Sequence, residues 1–141
     1  MKKTHRASVE FIHDYKTLDY PENRLRHIAG EIYKKERIPQ MKAVTVILCS
    51  SYKIKKLNAS YRNTDRATDV LAFPFDDTDF LGEIYISLQR CKSQASRFRI
   101  SYSDEIIRVF VHGMFHLLGF THETKDTRQL MEQHESKYCC L

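Results

Sequence analysis

Several things are scarce in this chain, and each scarcity closes off a class of protein. No apolar run approaches the roughly 20 residues that cross a bilayer. The longest apolar-rich segment, residues 106–120, is broken by Arg108, His112 and His116. The opening stretch MKKTHRASVEF is positively charged with no apolar stretch behind it, which is not the pattern of a signal peptide. A cytoplasmic location is therefore expected. Four cysteines stand at 49, 91, 139 and 140, and none forms a C-x-x-C pair. That argues for a reducing compartment and against a disulfide framework. Cys49, inside VTVILCS, reads as a small buried core residue; Cys139 and Cys140 carry no assignable role. There is no low-complexity segment, internal repeat or linker. With 42% hydrophobic and 29% charged residues in 141, the expectation is one ordinary domain spanning residues 1–141.

Negative charge is also absent where it would be informative. The formal net charge is +5, which by itself says little. From Arg37 to Thr64 there is no acidic residue, while Arg37, Lys42, Lys53, Lys55, Lys56 and Arg62 are basic. Ser87 to Ser103 is likewise free of acids and carries Arg90, Lys92, Arg97 and Arg99. Such segregation is the footprint of a polyanion-binding protein, and equally of solvated helix faces.

What is present alternates between strand and helix signals. SVEFIHD reads as a short strand, and YPENRLRHIAGEIYKKERI as a helix with Pro21 in its first turn and an apolar stripe of Leu25, Ile28, Ala29, Ile32 and Tyr33. AVTVILCS is a buried strand by its β-branched content. SYKIKKLNASYR is a short helix, with Ser51 as candidate N-cap. ATDVLAFPF and LGEIYIS form a hairpin across the acidic turn DDTDF. The basic LQRCKSQASRF is helical, and a helix over 104–118 follows, capped by Ser101 or Ser103, with Asp104 and Glu105 in its first turn. Gly119 ends it, and TRQLMEQHESKY makes a last helix. The fold class is α+β, a single domain with a sheet of about four strands packed on helices.

The helix over 104–118 is apolar nearly all round, so it belongs in the core. A buried imidazole there needs partners for both ring nitrogens. His112 and His116 are four residues apart, on one face, about 5–6 Å between Cβ atoms. Alone, such a pair would be two separately satisfied core histidines. Gly119 then reverses the chain, and His122 follows in position to return to the same point. The run H-x3-H-x2-G-x2-H has the spacing of a metzincin zinc site, except that Gly113 stands where those enzymes have glutamate. Three imidazoles favour zinc, and three protein ligands with a position left over are the mark of a catalytic ion. Gly113 cannot move a proton, so hydrolysis here would not follow the ordinary protease route.

Three motifs, in order, carry a resemblance that covers most of the chain from Leu57 onward: LNASYRNTDRATDVLAFPF, GEIYIS and HGMFHLLGFTH. In these the sequence resembles the YbeY-type rRNA maturation endoribonucleases, which have a zincin-like fold with the metal site at the C-terminal end of a buried helix. The resemblance implies one Zn2+ per chain, held by His112, His116 and His122, and makes Arg62 the functional arginine facing the metal. Arg62 and His116 are the residues on which activity is expected to rest. It implies single-strand-specific cleavage of RNA, with no DNA or membrane partner expected. The implied role is maturation of the small-subunit rRNA 3′ end and ribosome quality control, with the small subunit and assembly factors as partners. Ala72, Phe120 and Thr121 depart from the family's usual serine, tyrosine and aspartate; if that aspartate supports a ligand imidazole, Thr121 offers a hydroxyl in its place.

The residues themselves leave two other readings open. One is a zinc metalloprotease, suggested by the spacing and opposed by Gly113. The other is a non-catalytic ribosome-assembly factor with structural zinc, for which Glu123, next to His122, is the nearest candidate fourth ligand. Tyr61 and Tyr102 are candidates to stack a base. His134, Glu105 and Asp69 are candidate proton carriers.

Overall fold

A computed structural model of the chain describes residues 7–62 and 68–139, the side chain of Arg62 excepted. The elements are β1 (Val9–His13), α1 (Glu22–Lys35), β2 (Ala43–Cys49), α2 (Ser51–Arg62), β3 (Val70–Pro74), β4 (Phe80–Ser87), α3 (Leu88–Phe98), α4 (Tyr102–Leu117) and α5 (Lys125–Glu135). The sheet has four strands in the order β1-β2-β4-β3. β1 and β4 both run parallel to β2, and β3 returns antiparallel to β4 as the edge strand. Parallel neighbours need a crossover, which α1 supplies between β1 and β2. The α+β sheet of about four strands expected from the sequence is what forms.

Alternation divides the sheet into two unequal faces. Val44, Val46, Leu48, Ile84 and Ile86 point to the main core, which α1 and α4 complete. Ile47, Cys49 and Leu71 point to the other side and pack under Ile54 of α2. Burial pushes the Cys49 thiol up to about 12, so it stays protonated, as a core residue should.

Helix α4 is the centre of the molecule. Its Ile106, Ile107, Phe110, Val111, Met114 and Phe115 have no exposed surface. Of the two serines that could cap it, Ser101 does, accepting from the Asp104 backbone N–H at 3.0 Å. Its end is a Schellman closure: Phe120 N donates to Phe115 O at 3.0 Å and Gly119 N to His116 O at 3.1 Å. Gly119 has φ +95°, which the closure requires and which glycine adopts without a Cβ penalty.

Two serine positions differ from expectation. Ser50, not Ser51, caps α2, accepting from Lys53 N at 3.1 Å. Ser51 is drawn away by the junction of β4 and α3, where its hydroxyl meets Ser87 Oγ at 2.8 Å and its N–H donates to Gln89 Oε1 at 2.8 Å. The last helix also starts earlier than expected, because Thr124 and Thr127 form a reciprocal capping box. Among the described residues no helix is long and apolar enough to cross a membrane.

The approach of α4 to the hairpin is close. A Cβ at Gly113 would lie 2.9 Å from Ile84 Cγ2 and 3.3 Å from Val70 Cγ2. At Gly82, with φ +155°, a Cβ would lie 2.4 Å from the Phe73 carbonyl oxygen and 2.7 Å from Leu117 Cδ2. Gly82 thus lets the last turn of α4 sit down on the hairpin. Gly30, inside α1, has nothing within 4 Å of its Cβ position. Gly30→Ala is expected to raise unfolding free energy by about 0.5–1 kcal/mol through helix propensity. Gly82→Ala is expected to lower it by about 1–3 kcal/mol or more, through overpacking on top of backbone strain. Chemical denaturation of the two variants checks the opposite signs; equal effects would mean that α4 does not bear on Gly82.

Candidate metal centre

The three histidines converge. His112 and His116 project from the last two turns of α4, and the reversal at Gly119 brings His122 back over them. One ligand atom from each lies within 4.8 Å of the others. The rings of His112 and His116 are nearly perpendicular, with centroids 4.5 Å apart. The ring of His122 is 5.6 Å from that of His112 and 5.1 Å from that of His116. The rings of His112 and His116 are partly buried and that of His122 is exposed.

Protonation decides what this cluster can hold. His112 Nδ1 lies 2.7 Å from Glu135 Oε2. A carboxylate only accepts, so Nδ1 carries the proton and Nε2 presents a lone pair. That Nε2 faces His116 Nε2 at 3.0 Å. Two facing ring nitrogens are satisfied by one shared proton or one shared cation. The third imidazole beside them favours the cation, since a proton bridges only two. His116 is pushed down to about 4, by burial first and then by the His112 and His122 rings, with a backbone hydrogen bond at Phe120 opposing. It is therefore a neutral donor at physiological pH. All-imidazole donors of this kind suit a borderline transition metal, zinc above all, and the residues fit such an ion.

Glu135 is the partner that sequence reasoning missed. It lies on α5, 23 residues beyond His112, and nothing in its local pattern marks it. Carboxylate–imidazole pairs of this sort fix the tautomer and orientation of a ligating histidine. Thr121, considered above as a stand-in for the family's aspartate, is exposed and lines the cavity; the carboxylate holding His112 comes from α5 instead. Glu123 is not part of the cluster.

The imidazoles form a wall between two cavities of about 440 Å³ each. One is bounded by β3 through Val70, Ala72 and Pro74, with Asp69 at its edge. The other lies against α5 and is lined by Arg108, Arg128 and Glu135. Of the three candidate proton carriers only Asp69 lies in a cavity beside the histidines. It is held by Gln94 Nε2 at 3.3 Å and by Arg108 at 3.8 Å. Glu105 is fully buried, gripped by Arg108 at 2.7 and 2.9 Å and by Gln94 at 2.6 Å. His134 packs against Phe120 and faces Glu36 at 3.9 Å. Arg62 is the last residue of α2, and its side chain lies outside the described residues. The basic segments 37–64 and 87–103 place no described side chain in either cavity; among the described residues Arg108 and Arg128 are the cavity arginines. Tyr102 is spent on a hydrogen bond to the Asp19 carbonyl at 2.7 Å, whereas Tyr61 is 72% exposed.

Comparison with known proteins agrees with this geometry. Residues 10–140 match the family model described as Endoribonuclease YbeY. The chain belongs to the YbeY family. An Endoribonuclease YbeY of Clostridium botulinum (strain Loch Maree / Type A3) is 31% identical over 140 residues, covering 82% of this chain and 84% of the relative. That of Caldanaerobacter subterraneus subsp. tengcongensis is 35% identical over 129 residues, covering 80% and 81%. The Nautilia profundicola protein of the same name reaches 42% over 96 residues, covering 67% and 69%. A Thermotoga maritima protein solved in solution superposes with a TM-score of 0.66 at 30% identity, covering 93% of this chain and 86% of that one.

The His112–Glu135 contact carries a direct expectation. Glu135→Gln should weaken metal binding about 10–100-fold while leaving the fold intact. Replacing two of the three histidines by alanine should abolish binding altogether. Competition against a chromophoric chelator measures both, and an unchanged affinity in Glu135→Gln would reduce that contact to packing.

Proposed function

We propose that this protein is a zinc-dependent, single-strand-specific endoribonuclease of one domain, acting in the cytoplasm. Its substrate is the 3′ region of small-subunit rRNA, and the small ribosomal subunit and its assembly factors are its partners. The observation that carries the reading is the convergence of His112, His116 and His122 within 4.8 Å, in a chain of the YbeY family. When bound, the ion would polarise a phosphoryl oxygen and lower the pKa of water to near neutrality. His112, His116 and His122 hold it, and Glu135 fixes the ring of His112.

The remaining work falls to groups around the ion. Cleavage of a phosphodiester concentrates negative charge on the non-bridging oxygens, and a planar guanidinium meets two of them at once. Arg62, from the YR of LNASYR, is assigned that part by the family motif. Asp69, which lines the β3-side cavity, is the carboxylate that would take up a proton there. The protease reading loses its footing at Gly113. A side chain built there runs into Ile84 and Val70, so a glutamate at this position would face the sheet and not the cavity.

The test uses purified protein, a labelled unstructured RNA and an unfolded protein substrate, each with and without chelator. RNA should be cut and the protein left whole, with cutting lost on chelation and in His116→Ala prepared identically. Arg62→Ala should retain metal and lose most activity, and Arg62→Lys should not restore it. Binding to the RNA should weaken with salt, log K falling by about 0.7 per phosphate contact for each decade. Chelator-sensitive proteolysis with intact RNA would reverse the assignment.

A further inference from the structure

The edge strand β3 has two occupied faces. Val70, Ala72 and Pro74 border the cavity beside the imidazoles, and the alternate residues Leu71 and Phe73 point the other way. On that other side a cavity of about 200 Å³ opens between β3, β4 and α2, walled by Leu57, Tyr61, Phe73, Phe75 and Tyr85. Tyr61 meets Phe73 edge-on at 5.8 Å, and Phe73 meets Tyr85 in the same way at 5.8 Å. The rim is not closed over, for Tyr61 is 72% and Phe75 46% exposed. Aromatic side chains left in water around a cleft are the usual platform for unstacked bases.

The cavity also contains a charge. Glu83 lines it, half-buried on β4, and its carboxylate makes no side-chain hydrogen bond or ion pair among the described residues. Burial and the adjacent Glu83 both raise the Tyr85 phenol, so that ring stays neutral. A carboxylate among aromatic rings accepts hydrogen bonds and gives none. It therefore selects a ligand that presents donors at the edge of a flat ring. Among the four RNA bases only guanine sets two N–H donors side by side, at N1 and N2. Adenine and cytosine pair one amino group with a ring acceptor, and uracil places its single N–H between two carbonyls. The wall helix α2 contains three lysines and no acidic residue; Lys53 is paired with Asp14, and the helix as a whole is positive, which suits a polyanion passing nearby.

We infer that this cavity is a guanine-binding subsite, with Glu83 accepting from the base edge and Tyr61, Phe73 and Tyr85 enclosing the ring, so that an RNA strand crossing the β3 edge is held by a guanine a fixed distance from the metal. The inference rests on the ribonuclease reading for its biological sense, but not for its first measurement. Titrating the metal-free full-length protein with GMP, AMP, CMP and UMP, followed by NMR shifts or tyrosine fluorescence, reads the base alone, because the phosphate is common to all four. GMP should bind at least about tenfold more tightly than the others, the discrimination a bidentate base contact provides. Glu83→Gln should remove that preference, and Tyr61→Ala should weaken all four, both with unchanged melting temperature. Equal binding of the four nucleotides, or a preference that survives in Glu83→Gln, overturns the subsite. Mapping cuts on an unstructured RNA separates this from the parent reading. Wild-type cuts should fall at a constant offset from guanine, and those of Glu83→Gln should scatter. Cutting by wild type without regard to guanine removes the subsite and leaves the ribonuclease standing. A GMP preference in a protein that cuts no RNA removes the ribonuclease and leaves the subsite.

Discussion

The arrangement depends on how closely α4 lies against the β3–β4 hairpin. Gly113 and Gly82 each omit a side chain where one would collide with the opposite element, at 2.9 Å from Ile84 Cγ2 of β4 and 2.7 Å from Leu117 Cδ2 of α4. A buried helix seated this closely has its rotation fixed, because its ridges can settle in only one set of grooves. The stripe carrying His112 and His116 is thereby aimed past the edge of the sheet, at the opening between β3 and α5. The same contact explains the substitution of glycine for glutamate in an otherwise metzincin-like run. The position is one of packing, and a carboxylate there would be desolvated among methyl groups with no partner.

Local signals made much of this legible in the sequence. The H-x3-H spacing, the scarcity of glycine and the position of Gly119 located the three converging histidines and the chain reversal between them, because helix periodicity and the αL requirement act over only a few residues. The β3–β4 hairpin likewise follows from alternation and turn chemistry, whereas the order β1-β2-β4-β3 was not legible, because parallel pairing is set by contacts distant in sequence. Glu135 was not legible. Its partner is on another helix, and no periodic pattern records which carboxylate of α5 will face an imidazole on α4. Ser51 failed for a similar reason: a capping residue was inferred from its neighbours in sequence, and a tertiary contact from Ser87, at the end of β4, claimed its hydroxyl.

Charge was read correctly in amount and less well in place. Acid-free segments drew attention to α2 and α3, yet the described arginines beside the imidazoles are Arg108 and Arg128. Arg108 could not be singled out in advance, since its anchor is the fully buried Glu105, one turn earlier on an apolar helix. A buried carboxylate of this kind is tolerable only when fully paired. Here it holds one face of the guanidinium rigid while nearly half of the side chain stays in contact with water.

Helix α5 is attached to the rest of the protein at few points. Met131 is its deeply buried anchor, and just beyond its end the Tyr138 hydroxyl donates to Glu36, the residue that caps α1. His134 adds ring contacts to Phe115 and Phe120, and Glu135 ties the helix to the site through the ring of His112. An ion gripping that ring would therefore stabilise α5 as well as the site, because an ion that favours the closed arrangement adds RT ln(1 + [L]/Kd) to the free energy of opening it. The amide protons of α5 should then exchange with solvent at a rate set by free metal concentration, while those of β2 and β4 exchange through global unfolding. The C-terminal helix would thus report metal occupancy without touching the ion.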